Sequence, residues 1–256
     1  MTENINRATG NGVPPFAIRA VRKLWRVVVD RPYRRAVWLY LARPRGAFQP
    51  FNNTERDRYP GIFSFVQSTL GRDQMIKILS YGCSTGEEVF SLRNYFPRAT
   101  IKGTDINAAN IAVCRRRLDT APDDGILFET AASTEAEPSG IYDAIFCMAV
   151  LRHSGLGLAG ITRCDPLLRF EDFARAVANF ERCLKPGGLL VIRYSHFRLC
   201  DAPVGERFET LLRVPHGAQK PLIFGPDNRL LPDSEYPDTV FRKKLSPAPA
   251  AQRGFG

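Results

Sequence analysis

The residues with the most chemistry in them are Tyr81-Gly82-Cys83-Ser84-Thr85-Gly86-Glu87-Glu88 and an acid, Asp105, 19 residues beyond Gly86. A glycine-rich turn between a strand and a helix brings backbone N–H groups close to a ligand and sets it at a helix N-terminus. A carboxylate just past the next strand can accept hydrogen bonds from both hydroxyls of a ribose. The competing reading of Asp105 is a cap for the helix opening at Asn107 or Ala108. The turn has two glycines where a dinucleotide site has three. It also lacks the GxxxxGK[ST] pattern, which excludes a phosphate-binding P-loop. Together, turn and acid point to a ligand that carries a ribose and need not carry a phosphate.

The segments around these residues predict how they are held. Ile76–Tyr81 reads as a short apolar strand, Glu87–Tyr95 as a helix, and Thr100–Thr104 as a second strand. Next come an Ala/Arg-rich helix (Ala108–Leu118), a brief strand (Ile126–Phe128) and a strand apolar on both faces (Tyr142–Val150). A helix over Phe170–Leu184 stops at Lys185-Pro186-Gly187-Gly188, and Leu189–Tyr194 is a fifth strand. Alternating strands and helices predict an α/β fold. The sheet would be doubly wound and mostly parallel, with right-handed crossovers and helices on both faces. The tail is less regular. Pro221–Phe224 and Leu230-Leu231 flank a turn at Gly225-Pro226-Asp227-Asn228, and Thr239–Leu245 reads as a last strand.

At this point the residues resemble a family. The Gly-Cys-Ser-Thr-Gly-Glu-Glu string with Gly-Thr-Asp-Ile-Asn is similar to the class I S-adenosylmethionine-dependent methyltransferases, with a first motif like that of the chemotaxis-receptor glutamate methyltransferases. Tyr142-Asp143-Ala144-Ile145-Phe146-Cys147 and Leu184-Lys185-Pro186-Gly187-Gly188-Leu189 resemble the motifs at its fourth and fifth strands. The likeness covers roughly residues 60–200. It implies a Rossmann-like sheet of seven strands with an antiparallel last strand, and S-adenosyl-L-methionine as cofactor. Tyr81, Gly82, Cys83, Ser84 and Gly86 would pass near the methionine half, and Asp105 would hold the ribose. Ile106 would lie on the adenine, Thr130 and Ala131 along its edge, and Cys147 and Met148 near the sulfonium. Most members carry an acid two residues before the first glycine, where this chain has Ser80. Glu87 is expected to bind the cofactor amino group instead, against a competing role in offsetting the helix dipole. The chemotaxis subgroup has an Arg-Asn pair where this chain reads Phe-Cys-Met-Ala-Val, so the resemblance carries the cofactor and not the substrate.

Transfer to an alcohol needs a base, and histidine suits that work near neutral pH. His153 and His196 follow the fourth and fifth strands at the edge where open α/β sheets bind ligands, so both are candidate catalytic residues. His216 is expected to be an exposed loop residue. The absence of an Asp/Asn-Pro-Pro-Tyr string argues against amino methylation of DNA. The reaction expected is O-methylation of a small molecule, sugar or lipid-linked glycan. The alternatives are a non-catalytic binding module of the same fold, or a methyltransferase acting on RNA or protein.

Composition bounds the rest. At 44% hydrophobic and 24% charged, the 256 residues belong to a globular class and can bury a core without disulfides. The net charge of +10 is concentrated: nine basic residues and one acid between Arg19 and Arg45 supply +8. The body is therefore nearly neutral, which makes nucleic acid an unlikely partner. Residues 1–15 are expected to be a disordered tail, 16–70 a basic helical arm or lid, 71–245 the methyltransferase domain, and 246–256 a flexible tail. The arm has helices over residues 16–29, Tyr33–Leu41 and Ile62–Leu70. It could cover the substrate, bind RNA, or lie on a membrane surface through residues 16–45 with Trp25, Tyr33, Trp38 and Tyr40 at the headgroups. None of the six cysteines forms a CxxC pair or a zinc spacing, so no metal is expected, and the thiols point to a reducing, cytoplasmic compartment.

Overall fold

The computed structural model describes residues 23, 25–42, 44, 47–49, 51, 54–157, 160–217, 220–232 and 234–245. Both expected tails, and most of the first arm helix, lie outside the described residues.

Seven strands form one sheet: β1 (Lys77–Tyr81), β2 (Thr100–Asp105), β3 (Ile126–Thr130), β4 (Tyr142–Met148), β5 (Leu184–Arg193), β6 (Phe208–Arg213) and β7 (Asp238–Lys243), in the order 3-2-1-4-5-7-6. Strands β1 to β5 pair in parallel, and β7 runs antiparallel to both β5 and β6. The expected sheet is the one observed.

Period-2 alternation builds two cores. Leu79, Tyr81, Ile145, Cys147, Leu190 and Ile192 face one layer. Ile78, Ala144, Phe146, Leu189 and Val191 face the other. Each fully buried side chain of this size contributes about 1.5–3 kcal/mol relative to exposure. The first layer is closed by α5 (Phe170–Cys183), whose Phe170, Phe173, Val177 and Phe180 share one face. The second is covered by α2 (Pro60–Leu70), α3 (Glu87–Tyr95) and α4 (Ala108–Thr120) through Phe63, Val66, Val89, Leu92 and Ile111.

Some boundaries differ from the sequence expectation. β4 stops at Met148 because Ala149 turns into left-handed backbone (φ 60°). Lys185–Gly188 lies within β5, and the pairing slips there between Tyr142 and Ala144. β6 was not singled out as a strand; it sits at the sheet edge and has the mixed exposure of an edge strand.

In the arm, residues 25–29 are helical and Asp30 breaks the helix before α1 (Arg31–Ala42), capping the new one by accepting from the Tyr33 N–H at 2.9 Å. Pro32 is tolerated in that first turn, where its missing N–H costs nothing. The Asn107 side chain donates to the Pro32 carbonyl at 3.0 Å, which fastens α1 to the start of α4. Tyr33 and Tyr40 pack on Phe51 (centroids 5.9 and 5.6 Å).

Candidate active site

A cavity of about 250 Å³ opens at the carboxyl ends of β1, β2 and β4. Three side-chain groups that meet no partner within the protein lie in its wall: the Ser84 hydroxyl, the Tyr59 hydroxyl and the Arg152 Nε. Buried polar groups are normally satisfied, so three orphans around one cavity mark a place built for a ligand.

The turn after β1 is shaped for close approach. Gly82 (φ 74°) has no room for a side chain, because a Cβ there would collide with Val150. Gly86 (φ 93°) is the left-handed residue from which α3 starts. Ser84 is also left-handed (φ 53°), and its N–H donates to Asp105 Oδ2 at 2.9 Å. Asp105 Oδ1 accepts from the Asn107 N–H (2.7 Å) and from Asn110 Nδ2 (3.1 Å). The helix cap is Asn107 itself, through the Ala109 N–H. Asp105 thus braces the turn against the end of β2 while keeping a face on the cavity. Burial raises its carboxyl above the usual range, and its hydrogen bonds pull the other way.

The structure brings Tyr81, Gly82, Cys83, Ser84, Asp105, Ile106, Ala131 and Met148 to the cavity wall. Gly86 lies behind the turn, against Phe90, Cys114 and Phe128. Cys147 is fully buried in the sheet, its thiol pushed well up by burial, and Thr130 is exposed at the end of β3. None of these three lines the cavity.

Glu87 requires a correction. Its carboxylate pairs with Arg117 at 2.7 Å and accepts from the Thr85 hydroxyl at 2.6 Å, outside the cavity. The neighbouring Glu88 faces inward instead. Burial pushes its carboxyl up to about 7, against a lowering hydrogen bond from Ser80.

The histidines are corrected as well. Neither His153 nor His196 lines the cavity, and both are buried. The His153 ring stacks on Tyr40 (5.7 Å), and its Nδ1 accepts from the Gly155 N–H at 3.1 Å. The His196 nitrogens lie 2.7 Å from the Leu222 carbonyl and 3.2 Å from the His153 carbonyl. Burial pushes His196 down to about 4, so the ring is neutral near pH 7 and has one N–H, which the shorter contact assigns to Nδ1. His216 is buried rather than exposed and packs on Tyr194 (5.0 Å).

Sequence reasoning missed much of the opposite wall. It comes from Phe48, Phe51, Arg58 and Tyr59 before the sheet, and from Arg152 and Tyr194 at the ends of β4 and β5. These residues sit in separate loops and carry no shared motif.

Residues 79–190 match the family described as a methyltransferase domain. Residues 79–190 thus carry a methyltransferase domain, which supports the class I S-adenosylmethionine-dependent kind. The trans-aconitate 2-methyltransferase of Deinococcus radiodurans is 27% identical over 153 residues, which are 57% of this chain and 50% of that protein. The chain thus spans about half the length of the curated relative it matches. Among solved structures, a phosphoethanolamine N-methyltransferase of Haemonchus contortus with S-adenosyl-L-methionine has a TM-score of 0.42 at 15% identity, over 66% of this chain and 32% of that one. A geranyl diphosphate C-methyltransferase of Streptomyces coelicolor has a TM-score of 0.39 at 18% identity, over 52% and 44%.

The residues present fit the family's cofactor, S-adenosyl-L-methionine. A side-chain-free Gly82, an orphan Ser84 hydroxyl and an inward carboxylate at Asp105 suit an amino-acid and ribose ligand. Among the described residues, no group of three or more His, Cys, Asp or Glu is placed to hold a metal ion. No helix among them is long and apolar enough to cross a membrane.

Proposed function

We propose that this methyltransferase transfers a methyl group from S-adenosyl-L-methionine to an oxygen of a small molecule. The convergence of the Gly82–Ser84 turn and Asp105 on one cavity supports the reading most directly. When bound, the cofactor supplies an electrophilic methyl group on a sulfonium, whose loss leaves a neutral thioether. Asp105 accepts from the ribose hydroxyls through lone pairs not used by its three structural donors. Ile106 and Ala131 flank the adenine. Tyr81, Gly82, Cys83 and Ser84 border the methionine portion, and Met148 lies beside the transferred group.

Glu88 takes the part foreseen for Glu87: it binds the cofactor amino group and supplies the acid that is missing at Ser80. The histidines are given no proton to remove, because both ring nitrogens of His196 face carbonyls and neither His196 nor His153 lines the cavity. The catalytic contribution is then mainly positioning, which suits a displacement with a good neutral leaving group. Phe48, Phe51, Arg58 and Tyr59 bound the acceptor side. The relative's action on trans-aconitate agrees with a small acceptor.

The test is calorimetric titration with S-adenosylhomocysteine, followed by labelled-methyl transfer over a panel of small acids, alcohols and phenols. Saturable micromolar binding and a labelled product are expected. No binding at millimolar concentration would overturn the reading.

A further inference from the structure

The acceptor side of the cavity carries a charge arrangement of its own. Arg152 follows β4 through a tight turn in which its N–H donates to the Val150 carbonyl at 2.7 Å. Its guanidinium lies 5.8 Å from the centre of the Tyr194 ring, and its Nε is buried with no partner. Burial lowers its pKa, and Arg58 adds a like charge nearby. Tyr59, 6.3 Å from Tyr194 between ring centres, lines the same cavity, and its hydroxyl is buried with no partner.

The acids in the wall do not answer this charge. Glu88 is tied to Ser80, and Asp105 is held by three donors at the end of β2. Glu55 and Asp57 are exposed, and Asp57 accepts from the Tyr95 hydroxyl. Among the described residues Arg152 makes no salt bridge. A partly buried guanidinium with a free N–H loses hydration that only an anionic acceptor group restores well. The planar fork of arginine matches the two oxygens of a carboxylate, and a phenol hydroxyl beside it adds a third donor.

We propose that Arg152 and Tyr59 form a carboxylate clamp, so that the acceptor is a small organic acid. The inference rests on the methyltransferase reading for its biological meaning but not for its binding test. A carboxylate is already deprotonated near neutral pH, which agrees with a cavity that presents no histidine. If the clamped group is itself the acceptor, its oxygen forms the new C–O bond while the methyl–sulfur bond breaks. The electron pair stays on sulfur and no proton moves.

The experiment is calorimetry on the full chain, with and without S-adenosylhomocysteine, using glutarate, citrate, benzoate, neutral glutaramide and inorganic phosphate as probes. At least one carboxylate is expected to bind while glutaramide stays silent. Arg152→Gln should weaken that binding at least tenfold and Tyr59→Phe about threefold, with S-adenosylhomocysteine affinity unchanged in both. Arg152→Lys, which keeps the charge but not the fork, should fall between wild type and Arg152→Gln and serves if the Gln variant does not fold. Silence of all three carboxylates, undiminished binding in Arg152→Gln, or phosphate binding as tightly as the best carboxylate would each overturn the clamp. Failure of S-adenosylhomocysteine alone to bind strikes the methyltransferase reading and leaves the carboxylate result to stand separately.

Discussion

The Ser80 hydroxyl on β1 donates to Glu88 Oε1 on α3 across 2.7 Å. The bond links the position where most of the family carries an acid to the acid proposed to take its place. Glu88, with a carboxyl near 7, is half protonated at neutral pH. Only the ionised form attracts an ammonium group. S-adenosylhomocysteine affinity should therefore rise about tenfold from pH 6 to pH 8. Glu88→Gln should weaken binding and flatten that profile, whereas Glu87→Gln should leave both close to wild type. A flat wild-type profile, or a larger loss in the Glu87 variant, would return the role to Glu87.

Asp105 braces the turn and is the proposed ribose contact. Asp105→Ala strands the Ser84 and Asn107 N–H groups, at a cost of about 1–3 kcal/mol for each unpaired buried donor. Urea denaturation should show that loss, and S-adenosylhomocysteine binding should drop more than tenfold. Asp105→Asn keeps the shape but sets one N–H against existing donors, so it should be intermediate in stability and equally poor in binding.

His196 makes stability depend on pH. Its folded pKa of about 4 lies below the ordinary 6.5, so the unfolded chain takes up the proton more readily. Its stabilising contribution is complete above 6.5 and is lost as pH falls towards 4, amounting to about 2 kcal/mol between pH 7 and pH 5. Glu88 acts in the opposite sense, since a raised acid loses stability as pH rises from 4.5 to 7. Urea midpoints measured in a Glu88→Gln background should therefore show a steeper acid loss than wild type. Adding His196→Asn should remove most of it.

Gly82→Ala should place a methyl group against Val150 and force left-handed backbone on a residue that resists it. The melting temperature should fall and cofactor affinity with it. Val150→Ala in the same chain should restore part of the loss, because it removes the collision and leaves only the backbone strain.

The turn, Asp105 and the strand–helix alternation were legible because each rests on a short local pattern. The choice between Glu87 and Glu88 was not. Adjacent residues on a helix point roughly 100° apart, and which one faces inward depends on how Gly86 launches α3. The histidines misled because position along a strand end fixes the backbone and not the ring: His196 N–H is bonded to the Leu151 carbonyl, and its ring turns to Leu222. Tyr59, Arg152 and Tyr194 escaped notice because tertiary packing alone brings them together. β6 was missed because Phe-Glu-Thr-Leu-Leu-Arg suits a helix as well as an edge strand.

Ser84, Ala149 and Tyr194 all adopt left-handed backbone, at the ends of three neighbouring strands (φ 53°, 60° and 57°). Glycine would turn the chain there at about 1–2 kcal/mol less strain per residue. It would also delete the hydroxyl of Ser84 and the ring of Tyr194, both of which face the cavity. The rim is therefore a place where the molecule gives up relaxed backbone to keep side chains aimed. Substituting glycine for Ser84 or Tyr194 is a change in which heat resistance and ligand recognition should part company.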